Sequence, residues 1–177
     1  EEENRKKTTY AVSNHLYRFW FRFVPRCMSL IGMDMGNEAW TNIIKPELDA
    51  YFGHVFETVC LQYIMEQIRI GQLRPLYLKY GQWWGTDPST RTEEEIDIVA
   101  ATNQEILVGE CKWREESVND EVLDQLQKRA ELIRRGRTVR YALFSKSGFS
   151  DELLYREEKE DVILVRASDM FANIAES

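Results

Sequence analysis

Hydrophobic positions near the start of the chain follow a helical pattern. Ser13 or Asn14 is a suitable N-cap, and Pro25 is expected to end the helix after Val24. Its aromatic residues lie on more than one face: Tyr17, Phe19, Trp20, Phe21 and Phe23. Such a helix needs cover on most of its sides, either from this domain or from a partner surface.

A second apolar stripe of helical period predicts a longer helix over about residues 46–70, with Gly71 ending it. The members of the stripe are Phe52, Phe56, Val59, Tyr63 and Ile64. Gly53 is a possible kink in this helix.

The pattern then changes to short β-forming runs separated by turn residues. Three predicted strands come first, and residues 102–104 form a hairpin turn between the second and third. A helix over about residues 118–135, a strand over 139–145, a helix over 150–159 and a strand over 161–166 follow. This order predicts an α/β fold.

Composition limits the class of protein. The chain has 177 residues, of which 44% are hydrophobic, so it can form one domain with a small appendage. No apolar run is long enough for a membrane helix, and the acidic start is unlike a signal peptide. Three cysteines without short spacing and two histidines argue against a disulfide framework, a zinc site and a His-rich metal site. The reducing cytoplasm is the expected location.

The net charge of −7 argues against non-specific coating of nucleic acid. One basic cluster covers the end of the third predicted helix and the residues just after it, with only Glu131 opposing it: Lys128, Arg129, Arg134, Arg135, Arg137 and Arg140. It is a candidate phosphate-binding surface. The alternative is a solvated helix end, where cations favour the helix dipole.

Charged residues interrupt the hairpin where its strands are otherwise apolar. Residues two apart share a face of a strand, so Glu110 and Lys112 share one face, and Asp97 shares a face with Val99. Burying such charges costs several kcal/mol unless they are paired or bind an ion. Two carboxylates suit a divalent hard cation such as Mg²⁺, and a lysine can orient water or contact phosphate. The spacing equally fits an exposed cross-strand ion pair.

The order of elements and the pattern Asp97 … Glu110-Cys111-Lys112, with 12 residues between the two acids, resemble the PD-(D/E)XK nuclease superfamily. The resemblance implies a restriction-endonuclease-like core: a helix, a three-stranded antiparallel meander, a helix and a strand, here with an N-terminal helical extension. It also implies an acidic residue on the first core helix, matched by Glu57. In some branches a glutamine follows on the next helix, matched by Gln125.

A narrower resemblance covers nearly the whole chain. It rests on the segments 16–24, 56–60, 83–85, 95–100 and 109–113, which are similar to the C-terminal region of archaeal-type AAA ATPases. In those proteins a P-loop ATPase and a winged helix precede this region. The resemblance implies that residues 1–45 are an extension or linker from a missing upstream domain and that residues 46–177 form the nuclease-like domain. This chain has no P-loop motif of its own, which fits a fragment.

Together these features predict a Mg²⁺-dependent (or Mn²⁺-dependent) nuclease module that acts on DNA, with branched DNA as a candidate substrate. Asp97 and Glu110 would hold the metal with the backbone carbonyl of Cys111, Lys112 would position water or phosphate, and Glu57 and Gln125 would complete the catalytic set. Lys128, Arg129, Arg134, Arg135 and Arg137 would bind the nucleic acid. The alternative is an inactive nuclease-like fold that serves as a binding or homo-oligomerisation module beside the ATPase.

Overall fold

The structure is a computed structural model that describes residues 14–157 and 159–171. Packing divides it into two compact units, of which the first ends at Tyr51 and the second begins at Phe52. In the described part of the chain, no helix is both long and apolar enough to cross a membrane. The domain boundary expected at residues 45 and 46 stays a prediction.

Helix α1, His15–Gly32, runs past Pro25, so the expectation that the helix ends before this proline is wrong. The predicted cap is present, because the Asn14 side chain accepts hydrogen bonds from the backbone N–H groups of Leu16 and Tyr17 at 2.9 and 3.2 Å. A proline inside a helix costs about 3 kcal/mol. Phe23 and Cys27 lie on either side of it and are both buried, and their burial offsets this cost.

The first unit packs around aromatic rings. The ring centroids of Phe19 and Phe23 are 4.9 Å apart, and Tyr51 contacts both rings edge-on. The Tyr51 hydroxyl donates to the His15 carbonyl at 2.6 Å. Several apolar side chains of α1 remain exposed, Phe21 among them at 67%.

Short helical turns lead from α1 into the long helix. Helix α2 is Gly36–Ala39, a π-helical turn covers Trp40–Ile44, and helix α3 is Lys45–Arg69. The bounds of α3 agree with the predicted helix over residues 46–70. Gly71 follows with a φ of 78°, a left-handed conformation that glycine adopts readily.

The second unit contains one five-stranded sheet. Its elements are β1, Lys79–Thr86; β2, Glu93–Ala101; β3, Glu105–Lys112; α4, Asp120–Glu131; β4, Thr138–Ser145; α5, Asp151–Glu157; and β5, Val162–Arg166. A 3₁₀ turn, Asp169–Phe171, follows β5. The strands lie side by side in chain order. Strands β1 to β3 are antiparallel, and β4 and β5 run parallel to β3.

This arrangement confirms the predicted α/β fold with N-terminal helices and a restriction-endonuclease-like core. The three-stranded meander, the following helix and the next strand appear in the expected order. Strand β1 begins at Lys79, because Lys79 pairs with Ala101, the last residue of β2. Before that point no residue of β2 remains to pair with.

Apolar residues cover both faces of the sheet. One buried cluster joins α3 to the sheet through residues such as Phe56, Cys60 and Phe144. The other joins α4 and α5 to the opposite face through residues such as Leu126 and Leu153. A sheet buried on both faces leaves few places for charge, so each charged side chain within it needs a partner.

Candidate functional site

Glu110 is a charged residue in the buried part of β3, with only 6% of its surface exposed. Lys112 Nζ donates to its Oε1 at 2.6 Å. Arg129 Nη1, from α4, lies 3.3 and 3.2 Å from its two carboxylate oxygens. A buried carboxylate keeps its charge only with such partners, and these two cations supply them.

The pairing of β1 with β2 changes register opposite this site. Gly81 pairs with Val99, but Trp83, only two residues further along β1, pairs with Ile96. Strand β2 therefore contains one extra residue between Ile96 and Val99, which is a β-bulge.

The bulge corrects one expectation about the hairpin. Strict alternation places Ile96 and Ile98 on the same face, yet Ile96 packs in the cluster with α4 and Ile98 in the cluster with α3. Asp97 lies between them, at the position where the alternation breaks. The bulge sets the direction of its side chain, which alternation cannot do there.

Asp97 lies just beyond the last paired residues of the hairpin, Ile98 and Gly109. Its Oδ2 accepts a hydrogen bond from the Cys111 backbone N–H at 2.8 Å. Burial raises the pKa of the Asp97 carboxyl to about 7, and the negative charge of Glu110 adds to the rise. The Cys111 hydrogen bond and the Lys112 charge act in the opposite direction. Asp97, Glu110 and Lys112 are thus brought together electrostatically.

Cys111 contributes its backbone to this site rather than its side chain. Its thiol is buried in the cluster with α3, close to the Cys60 thiol. Burial raises the pKa of the Cys111 thiol well above its usual value, so it stays protonated and is a poor metal ligand. The backbone carbonyl, as predicted from the resemblance, is the group of this residue that suits a hard cation.

Glu57 reaches the same region from α3. One of its carboxylate oxygens accepts from Gln82 Nε2, of β1, at 3.0 Å, and the other lies 3.3 Å from His54 Nδ1. The Glu57 charge contributes to the raised pKa of Asp97, so the two carboxyls sense one another. Gln82 was not predicted, because an exposed glutamine on an edge strand has no distinctive sequence signal.

Arg129, predicted as a nucleic-acid ligand, is bound to the carboxylates of the hairpin. Its Nε donates to Glu94 Oε2 at 2.8 Å while its Nη1 contacts Glu110. Glu94 was not predicted either. Its partner lies 35 residues away on another element, and only the fold brings the two together.

Gln125 and Lys128 lie on α4 beside Arg129 and line an open groove of about 460 Å³. The groove runs between α4 and the connection from β1 to β2. Its lining is completed by Asp87, Thr90, Thr92, Glu94, Arg129 and Leu132. Arg129 therefore lines the groove and also contacts Glu110.

The remaining predicted basic residues lie at the end of α4 or beyond it. Arg134 pairs with Glu131 at 2.7 Å. Arg137 donates to the carbonyls of Arg134 and Ile133, and it satisfies backbone groups past the helix end. Arg135 has a φ of 46° in the same turn. A role in phosphate binding stays a prediction for these three arginines.

The donor set fits a small hard cation. Across residues 14–157 and 159–171, no three or more His, Cys, Asp or Glu side chains are grouped to hold a metal ion. Mg²⁺ usually takes only one or two protein carboxylates and keeps several waters. Two neighbouring carboxyls of like charge, Asp97 and Glu110, with the backbone carbonyl of Cys111 next to Glu110 in sequence, match this requirement.

Comparison with known sequences places the chain beside proteins of archaea. An uncharacterized protein of Methanocaldococcus jannaschii is 27% identical over 139 residues, which cover 75% of this chain. They cover only 29% of that protein, so the chain spans less than a third of its relative's length.

Two solved structures resemble the fold. A Vibrio cholerae protein matches 68% of this chain and 31% of its own, with 19% identity and a TM-score of 0.51. The MspJI restriction endonuclease, solved in complex with a 27-mer oligonucleotide, matches 66% of this chain and 26% of its own, with 16% identity and a TM-score of 0.40.

The family model matches residues 20–128, which is more than half of the chain and runs from within α1 to Lys128 of the groove. The chain belongs to the family DUF234, described as archaeal and bacterial proteins of unknown function.

Proposed function

We propose that this chain carries a divalent-metal-dependent nuclease site that hydrolyses phosphodiester bonds in DNA, with Mg²⁺ or Mn²⁺ as the metal. The observation that carries the proposal is the pair of neighbouring carboxyls, Asp97 and Glu110, with Lys112 beside them at the end of the hairpin. The restriction-endonuclease-like core supports it, because the three residues lie at the end of the hairpin formed by β2 and β3.

The metal ligands and the lysine have different roles in this proposal. Asp97, Glu110 and the Cys111 carbonyl would hold the metal. When bound, a divalent cation supplies Lewis-acid stabilisation of the negative charge that builds up on a phosphate. Lys112 donates to Glu110 at 2.6 Å, and from this position its ammonium would orient an attacking water or contact a phosphate oxygen.

Glu57 and Gln125 have supporting places in this proposal. Glu57, held by Gln82, adds negative charge on the α3 side of Asp97. Gln125 lines the groove beside Arg129, where it can contact a nucleic-acid backbone. Lys128 lies in the same groove, and the other basic residues continue past the end of α4.

The larger protein context is also a proposal. The chain covers only 29% of its archaeal relative, which is consistent with a module of a longer protein. We propose that upstream ATPase and winged-helix domains precede it and that it can form homo-oligomers in the cytoplasm.

Cleavage of plasmid and branched DNA with Mg²⁺ or Mn²⁺ tests the proposal. Wild type should cut, while Asp97→Ala and Lys112→Ala should lose at least about 100-fold in rate, the usual contribution of such groups. Glu95→Ala is a matched control, since Glu95 is an exposed acid two residues before Asp97 on the same strand. Equal activity in all four proteins would identify a contaminant and favour an inactive, binding-only fold.

A further inference from the structure

One guanidinium bridges two strands beside the proposed metal site. Arg129 donates through Nε to Glu94 on β2 and through Nη1 to Glu110 on β3. All three side chains are largely buried, with exposures of 26%, 24% and 7%. The bridge is therefore shielded from solvent more than a surface ion pair is.

Helix α4 fixes the position of this arginine. Leu126 and Ala130, on either side of it in sequence, are fully buried against the sheet. The guanidinium is a planar fork with several donors, so it can hold two carboxylates at once, which a lysine ammonium does less well. The position suits a residue that can release one acid while it stays bonded to the other.

Glu110 is also one of the two carboxylates proposed to hold the metal. Arg129 Nη1 lies within 3.3 Å of both of its oxygens, so a cation that binds Glu110 meets a positive charge already in place. The two positive charges repel one another, and the guanidinium must withdraw from at least one oxygen. Glu94 offers it a partner when it does.

We propose that Arg129 is a positioning residue that competes with the divalent metal for Glu110, with Glu94 as the second partner that holds the guanidinium when Glu110 is released. The inference rests on the proposed function. Arg129 compensates the charge of Glu110 and thereby lowers metal affinity. Glu94 holds the guanidinium when it leaves Glu110, so the metal can still bind. The pair therefore sets the metal concentration at which the site fills.

Titration of the 177-residue chain with MgCl₂ and MnCl₂ by calorimetry tests this without any activity assay. Arg129→Gln should tighten metal binding by about tenfold, because one charge in contact with a ligand is removed. Lys128→Gln is the matched control, since it removes the neighbouring charge of α4, which has no contact with Glu110, and it should change affinity far less. Arg129→Lys should tighten binding by less than Arg129→Gln, because the charge remains but the fork is lost.

Substitution of Glu94 should have the opposite effect on metal affinity. Glu94→Gln removes the charge of the second partner, so the guanidinium is left with Glu110 as its only carboxylate of the pair and metal binding should weaken. Glu95→Gln removes an equal charge from the next residue of β2, which is exposed. Glu94→Gln should weaken binding more than Glu95→Gln does.

Asp97→Asn separates the two proposals. Metal binding that is lost in Asp97→Asn but no tighter in the Arg129 variants would overturn the competition and leave the metal site intact. A Glu94→Gln effect no larger than that of Glu95→Gln would overturn it as well. Absence of binding in both wild type and Arg129→Gln would overturn the proposed metal site itself. Binding in Arg129→Gln that exceeds wild type supports both.

Discussion

At the scale of single residues, Asp97 and Glu110 are neighbouring carboxyls, but their charges are compensated to different extents. Glu110 is buried but has two cations within 3.3 Å, so its charge is compensated. Asp97 has one backbone N–H as its partner and Glu110 as a neighbour of like charge. Desolvation is the largest effect at Asp97 and raises its pKa to about 7.

The raised pKa of Asp97 predicts how the stability of the protein depends on pH. The native pKa of Asp97, about 7, lies above its ordinary value of 3.8, so between these values the native state binds more protons than the unfolded state. The contribution of Asp97 to stability is therefore greatest below about pH 4 and falls as the pH rises towards 7. Asp97→Asn, which keeps an acceptor for the Cys111 N–H, should raise the free energy of unfolding at pH 8 by on the order of 1 to 3 kcal/mol.

Urea unfolding with a chelator present, at pH 5 and pH 8, measures the effect. The difference between wild type and Asp97→Asn should be larger at pH 8 than at pH 5. Glu95→Gln is the control for loss of an exposed acid and should show little pH dependence. If the free energies of unfolding of wild type and Asp97→Asn differ by the same amount at pH 5 and at pH 8, the pKa of Asp97 is not raised in the native state.

The sequence predicted the candidate residues of this site but not how their side chains are held. Asp97, Glu110 and Lys112 were identified from their charges in apolar strands. Glu94 was not, because its importance comes from Arg129, which approaches from α4. Arg129 was predicted to bind nucleic acid because it belongs to a run of basic residues. Such a run does not indicate that one of its side chains contacts Glu94 and Glu110 of the sheet.

At the scale of elements, periodicity predicted the helices and strands well where the pattern was regular. It failed at two local irregularities. Pro25 is tolerated inside α1 because buried residues continue on both sides of it, and the bulge at Asp97 breaks alternation in the middle of β2. Both depend on partners from elsewhere in the chain, which local pattern does not contain.

Replacing Pro25, in the middle of α1, should increase the stability of the first unit. Pro25 is exposed and removes one backbone hydrogen bond from the helix, so Pro25→Ala should stabilise the first unit by about 1 to 3 kcal/mol. Thermal unfolding followed by circular dichroism measures it. Ser29→Ala, an exposed substitution one turn later in α1, is the control for helix propensity alone and should gain about 0.5 kcal/mol or less. No gain over Ser29→Ala would show that the proline ring makes a contact worth as much as the bond it removes.

At the scale of the whole molecule, charge distribution matters more than total charge. A net charge of −7 repels a polyanion, so nucleic acid must be met by a local surface. Arg134 and Arg137 have partners in their own turn, and Arg129 is held between two acids. Lys128, exposed in the groove, is the residue among the predicted ligands that we expect to contribute most to phosphate contact.

Lys128→Gln therefore provides the test at this scale. If Lys128 contacts one phosphate, its loss should weaken DNA binding several-fold at low salt and reduce the slope of log affinity against log salt by about 1. Lys159→Gln removes an equal charge near the end of α5, where the ammonium lies over the Tyr155 ring, so it controls for the change in net charge. Fluorescence anisotropy with a labelled duplex at several salt concentrations gives both quantities. Long-range attraction depends on total charge and would be reduced equally by the two substitutions, whereas direct contact is lost only with Lys128. Equal losses in the two variants would therefore place the nucleic acid somewhere other than this groove.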